Sequence, residues 1–223
     1  MLYDFHSHTF HSDGVLSPIE LIRRASVKGY SAIGITDHIG VGSLARVIKE
    51  VSEDCEVARS HWNILAVPGV ELTHLPPQAI DEIASRAKAL GARIVIVHGE
   101  TPVEPVEEGT NLAAVKSRHV DILAHPGHLT AKEAELAAKN GVFIEITSRR
   151  GHCAGNIEVA KAATKAGALM LLDSDAHDED DILTEKKARE VLGQAGISSR
   201  KFKQILEDNP LKLLQKLRRY AQL

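Results

Sequence analysis

The sequence predicts an α/β fold, a single barrel of seven strand–helix units with C-terminal helices. Three observations carry this. Seven short, nearly continuous apolar runs alternate with stretches of helical spacing, the pattern of parallel strands covered by helices. Histidine and acidic residues recur where those runs end, at positions 6 and 8, 38, 71, 98, 125, and 175 and 177; the first gaps are about 30, 33, 27 and 27 residues, one strand–helix unit each. An open doubly wound sheet is the competing fold, but its glycine fingerprint and the phosphate loop are both missing, and it would gather polar groups at one switch point. A closed barrel brings every strand end to one rim, where barrel enzymes keep their active sites.

The elements follow in order. A strand over residues 2–8 leads to a helix over 18–28, in which Ile19, Ile22, Ala25 and Ser26 recur at helical spacing. Ser17 precedes Pro18 as an N-cap with proline at the first helical position, and Gly29 stops the helix. Strand 31–37 precedes a helix over roughly 43–61, and strand 64–72 a helix over 77–90 closed by Gly91. Strand 93–97 pairs with helix 111–117, and strand 121–124 with helix 130–139, capped by Asn140 and Gly141. Strand 142–147 precedes helix 156–165, ended by Gly167; strand 168–172 precedes helix 184–194.

From Ser198 onward one or two final helices are expected. Leu206, Leu213, Leu214, Leu217 and Tyr220 recur near helical spacing with Lys212, Lys216, Arg218 and Arg219 between them. The apolar face should close the barrel and the basic face should meet solvent. Residues 1–223 read as one domain, of which 198–223 is a basic helical segment.

A hydrophobic content of 43% with 26% charge describes an ordinary globular protein, and the longest apolar runs are far too short to span a bilayer. The N-terminus lacks the charged-then-apolar pattern of a secretory signal. Two cysteines, Cys55 and Cys153, make neither a disulfide framework nor a C-x-x-C motif, which points to a reducing cytoplasm. Cys153 beside His152 is read as a small buried or loop thiol rather than a nucleophile. The net charge of −3 is uneven: seven Lys/Arg against Glu207 and Asp208 give the segment from Ser198 a charge of +5, leaving −8 on the rest. That balance disfavours nucleic acid as the main partner.

The stretch from His6 to Gly14, HSHTFHSDG, is the densest cluster of polar chemistry. Side chains at i and i+2 of an extended segment share a face, so His6 and His8 can address one object, and neutral imidazole is the commonest protein metal ligand. Taken singly, His98, His125, Glu71 or Asp175 could each be a satisfied core residue or a strand-end cap. Nine such residues on one rim would repel and desolvate one another unless bound cations stabilised carboxylates and neutral imidazoles together.

These motifs resemble the PHP (polymerase and histidinol phosphatase) family over almost the whole chain to about His177. The matching segments are His6-Ser-His8 with Ser12-Asp13-Gly14, Ile35-Thr36-Asp37-His38, Gly69-Val70-Glu71, Val97-His98-Gly99, Ala124-His125-Pro126 and Ser174-Asp175-Ala176-His177. The resemblance implies a distorted, TIM-like barrel of seven βα units and a cluster of two or three divalent metal ions. It implies one metal on His6, His8, Glu71 and Asp175, a second on Asp13, His38 and His177, and a third on Glu71, His98 and His125, with Glu71 bridging. No ligand position is substituted. The ligands are all nitrogen and oxygen, which suits zinc, manganese or iron.

The expected activity is hydrolysis of a small phosphomonoester, similar to that of histidinol phosphatase, with hydroxide generated by paired metals as nucleophile. No nucleophile elbow is present, so a covalent serine route is disfavoured. The alternatives are a phosphodiesterase or exonuclease on short nucleic acid, or a non-catalytic RNA-binding barrel. Arg149 and Arg150, just past the strand over 142–147, are the expected phosphate-binding residues, because an arginine fork gives two parallel donors to a phosphoryl group. His11 and His128 fall in rim loops where a proton-transfer or substrate role is open, and His74 and His152 are similar. His61 and His119 sit near helix ends, where a favourable dipole accounts for them. Asp178, Glu179, Asp180 and Asp181 read as a solvated loop before a helix.

Overall fold

Side chains alternate between the two faces of a strand, and here that alternation sorts the apolar residues into two separate sets. The computed structural model describes residues 2–219 of the 223. Among them, seven strands form one parallel path in the order β1 (Leu2–Asp4), β2 (Tyr30–Ile35), β4 (Leu65–Leu72), β5 (Ile94–His98), β6 (Ile122–Ala124), β7 (Phe143–Thr147) and β8 (Met170–Asp173). A two-residue strand, β3 (His38–Ile39), pairs with the far end of β4. Phe5, Ala32, Val67, Ile94, Ile96, Ile122, Ala124, Phe143 and Leu171 fill the inside of the barrel. Their neighbours in sequence, such as Ile33, Ala66, Val95, Leu123 and Ile144, pack outward in a larger core beneath the helices.

The helices cover the outside: α1 (Pro18–Val27), α2 (Leu44–His61), α3 (Ile80–Ala89), α4 (Thr110–Lys116), α5 (Ala131–Asn140), α6 (Asn156–Ala166) and α7 (Glu185–Gln194). Their starts follow the expected chemistry. Ser17 caps α1 by accepting from the Glu20 N–H, and Thr130 and Glu133 form a reciprocal capping box on α5. The expected seven-unit barrel is therefore present.

The strand path is least continuous at the seam between β8 and β1. No continuous ladder runs there; Ser7 and Ala176 form a single parallel bridge. Two buried carboxylates take the place of ladder carbonyls. Asp173 Oδ1 accepts from the Phe5 N–H at 2.6 Å, and Asp4 Oδ1 accepts from the Ser174 N–H at 3.0 Å. This is why β1 is shorter than the strand expected over 2–8: past Asp4 the backbone is held by side chains and single bonds.

The C-terminal helix α8 (Asn209–Arg219) closes the other end of the barrel. Leu213 and Leu217 are buried among the inner set, and Asn209 Nδ2 donates to the Met170 carbonyl at 2.8 Å. Its polar face departs from expectation. Lys212 and Arg218 are exposed, but Lys216 Nζ donates to Asp121 Oδ1 at 3.1 Å and to the Gly141 carbonyl at 3.1 Å. Asp121, almost wholly buried, also takes Lys88 and the Val95 N–H. A buried acid at the base of the barrel needs cations, and the helix supplies one. Tyr220, the last apolar residue expected in this helix, lies outside the described residues.

Leu213→Ala should therefore cost about 2–5 kcal/mol, since a buried leucine would leave a cavity in the barrel interior. Urea unfolding measures it. A loss below about 1 kcal/mol would show that α8 lies against the barrel without closing it.

Candidate metal centre

The inward phase of each strand that carries apolar residues at the base carries polar ones at the carboxyl end. On β4 the inward series that includes Val67 ends at Glu71; on β5, Ile94 and Ile96 lead to His98; on β7, Phe143 leads to Glu145. His6 and His8 follow β1, His38 opens β3, His125 follows β6, and Asp175 and His177 follow β8. His125 and Asp175 reach inward from backbone at φ 22° and 54°, the sparsely populated left-handed side for non-glycine residues, and such strain clusters at functional sites. His6, His8, Glu71, His98, His125 and Asp175 are all buried, whereas Asp13 is about half exposed.

Glu71 is the hub. Its Oε1 lies 3.3 Å from His6 Nε2 and 3.5 Å from His125 Nε2, and its Oε2 lies 3.6 Å from His8 Nε2 and 2.6 Å from His38 Nδ1. That His38 nitrogen is also 2.7 Å from Thr73 Oγ1, and neither Glu71 oxygen has a hydrogen-bonding partner of good geometry. Burial alone would raise the Glu71 pKa, but His6 and His38 outweigh it and hold the carboxyl well below its usual range. Asp175 Oδ1 lies 3.0 Å from His8 Nε2 and 3.7 Å from His6 Nε2. Asp13 Oδ2 lies 3.1 Å from His177 Nε2 and 3.7 Å from His38 Nε2.

Three groups whose ligand atoms lie within 4.8 Å of one another emerge from the nine residues: His8, Asp13, His38 and His177; His6, His8 and Asp175; and His6, Glu71 and His125. They share members with the expected sets and differ from them at four places: Glu71 falls outside the group of His6, His8 and Asp175, His6 joins Glu71 and His125, His8 also joins the Asp13 group, and His98 is in none. His8 stands within reach of both the first and second groups. His98 stands apart from the third: its Nδ1 takes the Gly99 carbonyl at 3.1 Å, and its ring lies 4.4 Å from that of His125. Several ligand-type atoms are buried without a hydrogen-bonding partner, namely His8 Nδ1, both Glu71 oxygens, His98 Nε2, His125 Nδ1 and Asp175 Oδ1. Leaving one such group unpaired costs about 1–3 kcal/mol, more if charged. An all-nitrogen-and-oxygen donor set grouped this closely fits divalent cations.

Supporting residues complete the rim. Glu145, fully buried, accepts from His6 Nδ1 at 2.6 Å and from the His125 backbone N–H at 3.3 Å. It fixes the His6 tautomer so that Nε2 faces Glu71 and Asp175, the carboxylate–histidine arrangement that orients metal ligands. In the sequence Glu145 is one acid within the apolar strand expected over 142–147, and its phase with Phe143 and Thr147 is the signal that places it inside. Asp37 accepts from the Thr9 N–H at 2.8 Å, the Thr9 hydroxyl at 2.8 Å and the Ser12 hydroxyl at 2.7 Å, which folds the loop carrying Asp13 over the rim.

Arg149 is partly buried at the rim, and its Nη1 donates at 2.7 Å to Asp181 Oδ2, which also accepts from the His177 N–H at 3.0 Å. Arg150 is exposed. Asp181 is thus tied to the rim, whereas the sequence suggested a solvated loop residue. His11 lies 3.4 Å from Glu50, His74 lies 3.5 Å from Glu104, and His128 is exposed. His119 bonds Asp81 at 3.2 Å, away from the rim. Cys55 is buried and Cys153 exposed, both unpaired.

Two outcomes follow from this geometry. Burial pushes the His38 imidazole down, but Glu71 and Asp13 outweigh it and raise it from 6.5 to about 9, so it is protonated near neutrality. Only the neutral ring binds a metal, so loading must release a proton, and apparent affinity should rise with pH from 6.5 toward about 9. Competition titration with zinc across that interval checks it; an affinity independent of pH would contradict the proton count. Glu145→Gln should weaken zinc binding about 10–100-fold without unfolding the barrel, the usual cost of losing a partner of a metal-binding histidine. The same titration, with circular dichroism for the fold, decides it.

Among the described residues no helix is long and apolar enough to cross a membrane. Residues 4–194 match the family model described as the PHP domain. The chain is 44% identical over 218 residues to an uncharacterized protein of Methanocaldococcus jannaschii, covering 97% of this chain and 100% of that one. It is 30% identical over 224 residues to a probable phosphatase of Thermoanaerobacter sp. strain X514, covering 89% of this chain and 88% of the relative. Its fold superposes with a TM-score of 0.61 on the histidinol phosphate phosphatase of Lactococcus lactis, solved with zinc, L-histidinol and phosphate, at 15% identity over 88% of this chain and 94% of that one. With the family model spanning most of the barrel, this chain belongs to the PHP domain family.

Proposed function

We propose that this protein is a metal-dependent phosphatase that hydrolyses a small phosphomonoester. The observation that carries it is the set of buried, unpartnered carboxylate and imidazole atoms at the carboxyl rim, beside a partly exposed arginine. His6, His8, Glu71 and Asp175 would hold one ion, Asp13, His38 and His177 a second, and Glu71, His98 and His125 a third. Divalent ions held there supply a nucleophile at neutral pH and neutralise phosphoryl charge.

The chain's own residues do the rest. Glu145 fixes the His6 ring by accepting its Nδ1 proton, and Thr73 does the same for His38 Nδ1. Asp181 holds Arg149 beside His177, where the remaining donors of the fork can take phosphoryl oxygens from the outer side. Arg150, being exposed, is the second choice for that contact. The probable phosphatase from Thermoanaerobacter and the phosphate-bound Lactococcus structure support a small phosphoester as the ligand class.

A screen of phosphorylated metabolites with zinc, manganese or iron should yield turnover that a chelator abolishes and metal restores. Hydrolysis of single-stranded DNA but of no monoester would overturn the reading. Arg149→Ala should lower kcat/KM on the best monoester about ten- to a hundredfold with metal content unchanged, since a hydrogen bond to a charged partner is worth about 1.5–3 kcal/mol. Arg149→Lys should recover only part, because it keeps the charge and loses the fork. Parent rates in both Arg149→Ala and Arg150→Ala would place the phosphate contact elsewhere.

A further inference from the structure

His152 is a rim histidine outside the nine-residue set. It opens a 3-10 turn, His152–Gly155, in the connection from β7 to α6. Its ring lies 4.4 Å from that of His125 and 6.1 Å from that of His98. Its Nδ1 is buried and has no hydrogen-bonding partner. His152, His125 and Asp175 offer three ligand atoms within 4.8 Å of one another. Donors on one ion with bonds of about 2.0–2.2 Å lie at most about 4.4 Å apart, so a small adjustment of these side chains would bring them onto one ion.

The turn is built to hold that ring in place. Gly151 reverses the chain at φ 93°, a conformation that glycine adopts at little cost. The Cys153 N–H donates to the Arg149 carbonyl at 3.0 Å. Asn156 clamps the far end of the turn to the end of β7: its Nδ2 donates to the Thr147 carbonyl at 2.8 Å, and its Oδ1 accepts from the Thr147 N–H at 3.2 Å. At Gly155 the turn presses on the loop that follows His125, so closely that an added Cβ would stand 2.8 Å from the Gly127 carbonyl oxygen. The two loops that carry His152 and His125 are therefore locked to each other backbone to backbone.

A partly buried ring held this rigidly, with a buried unpaired nitrogen and a ligand atom in reach of a histidine and an aspartate, has the placement of a ligand. We infer that His152 is a further metal ligand of the rim, joining His125 and Asp175 to bind a divalent ion from the β7 side. Two imidazoles and one carboxylate leave coordination positions open, as a metal that must also take substrate or water requires. The inference rests on the reading of the rim as a metal centre.

The test is zinc and cobalt titration of the full-length, metal-stripped protein against a chromophoric chelator, comparing the parent, His152→Ala and His119→Ala. His119 bonds Asp81 away from the rim, so it controls for loss of an imidazole. His152→Ala should weaken one binding event by about tenfold or more, at least the effect of losing a partner behind a ligand. Its cobalt visible spectrum should change, while His119→Ala matches the parent. If the parent itself binds no metal, the metal-centre reading fails. If the parent binds metal and His152→Ala gives the same isotherm and spectrum, this inference alone is overturned. It is overturned equally if only inorganic phosphate binding weakens, because His152 would then contact substrate. Gly155→Ala, which must push the turn off Gly127 while keeping the imidazole, should show a weaker form of the same defect; a parent-like isotherm there together with one in His152→Ala would confirm the failure.

Discussion

Glu71 is a fully buried carboxylate with no hydrogen bond of good geometry, ringed by His6, His8, His38 and His125. An isolated buried charge of this kind is costly, and removing the partner of a buried ion pair destabilises by roughly 3–5 kcal/mol. The charge at Glu71 is offset by His6 and His38, whose imidazoles are raised against the downward pull of burial, whereas burial lowers His8. In the proposed centre, divalent cations would resolve the same conflict at neutral pH while leaving the rings neutral. Several other rim residues can be read from this constraint: His6, His8, His38 and His125 face the charge at Glu71, and Glu145 and Thr73 contact two of those rings.

The cost spreads downward into the barrel. Glu145 sits one step below the ligands, and Asp4 and Asp173 hold the seam beneath them. Burial and neighbouring acids push Asp173 well above the ordinary carboxylate range, and burial pushes Asp4 to about 6 against its bonds from Ser174. At the opposite end, Asp121 is compensated by Lys88 and by Lys216 of α8. The rim leaves its polar atoms open for chemistry, whereas the base pairs them and seals the interior with Leu213 and Leu217. Function and stability are thus assigned to opposite ends of the same strands.

The sequence made the fold legible because a period of two inside strands and 3.6 inside helices leaves an unambiguous pattern over seven units. Eight of the nine expected ligands stand out for a related reason, since they fall where apolar runs end, while Asp13 lies in the polar stretch that follows the first run. What escaped depended on the third dimension. Glu145 is one acid inside FIEIT, and only its phase with Phe143 reveals that it faces the ligands. His152 follows a glycine reversal whose direction no spacing encodes. Lys216 belongs to a helix face that looks solvated until Asp121 is found beneath it. The shortened β1 reflects bonds made by Asp173, a residue 168 positions away from the Phe5 amide it holds.

The seam explains why the ligands are distributed as they are. Between β8 and β1 the ladder is reduced to one bridge and a few single bonds, among them the Asp175 N–H to the His6 carbonyl at 3.0 Å and the His8 N–H to the Ala176 carbonyl at 2.8 Å. A continuous ladder there would leave less freedom to turn His6, His8, Asp175 and His177 toward a common space. Instead, two residues from each side of the gap converge across it. In the proposed centre, ions held by His6, His8 and Asp175, and by Asp13, His38 and His177, would cross-link the two strands that hydrogen bonding joins least. Ligand binding to the folded state alone stabilises by about 2.7 kcal/mol at a hundred times Kd. In this barrel that energy would act at the weakest join, so the same ions that carry the chemistry would also complete the closure of the sheet.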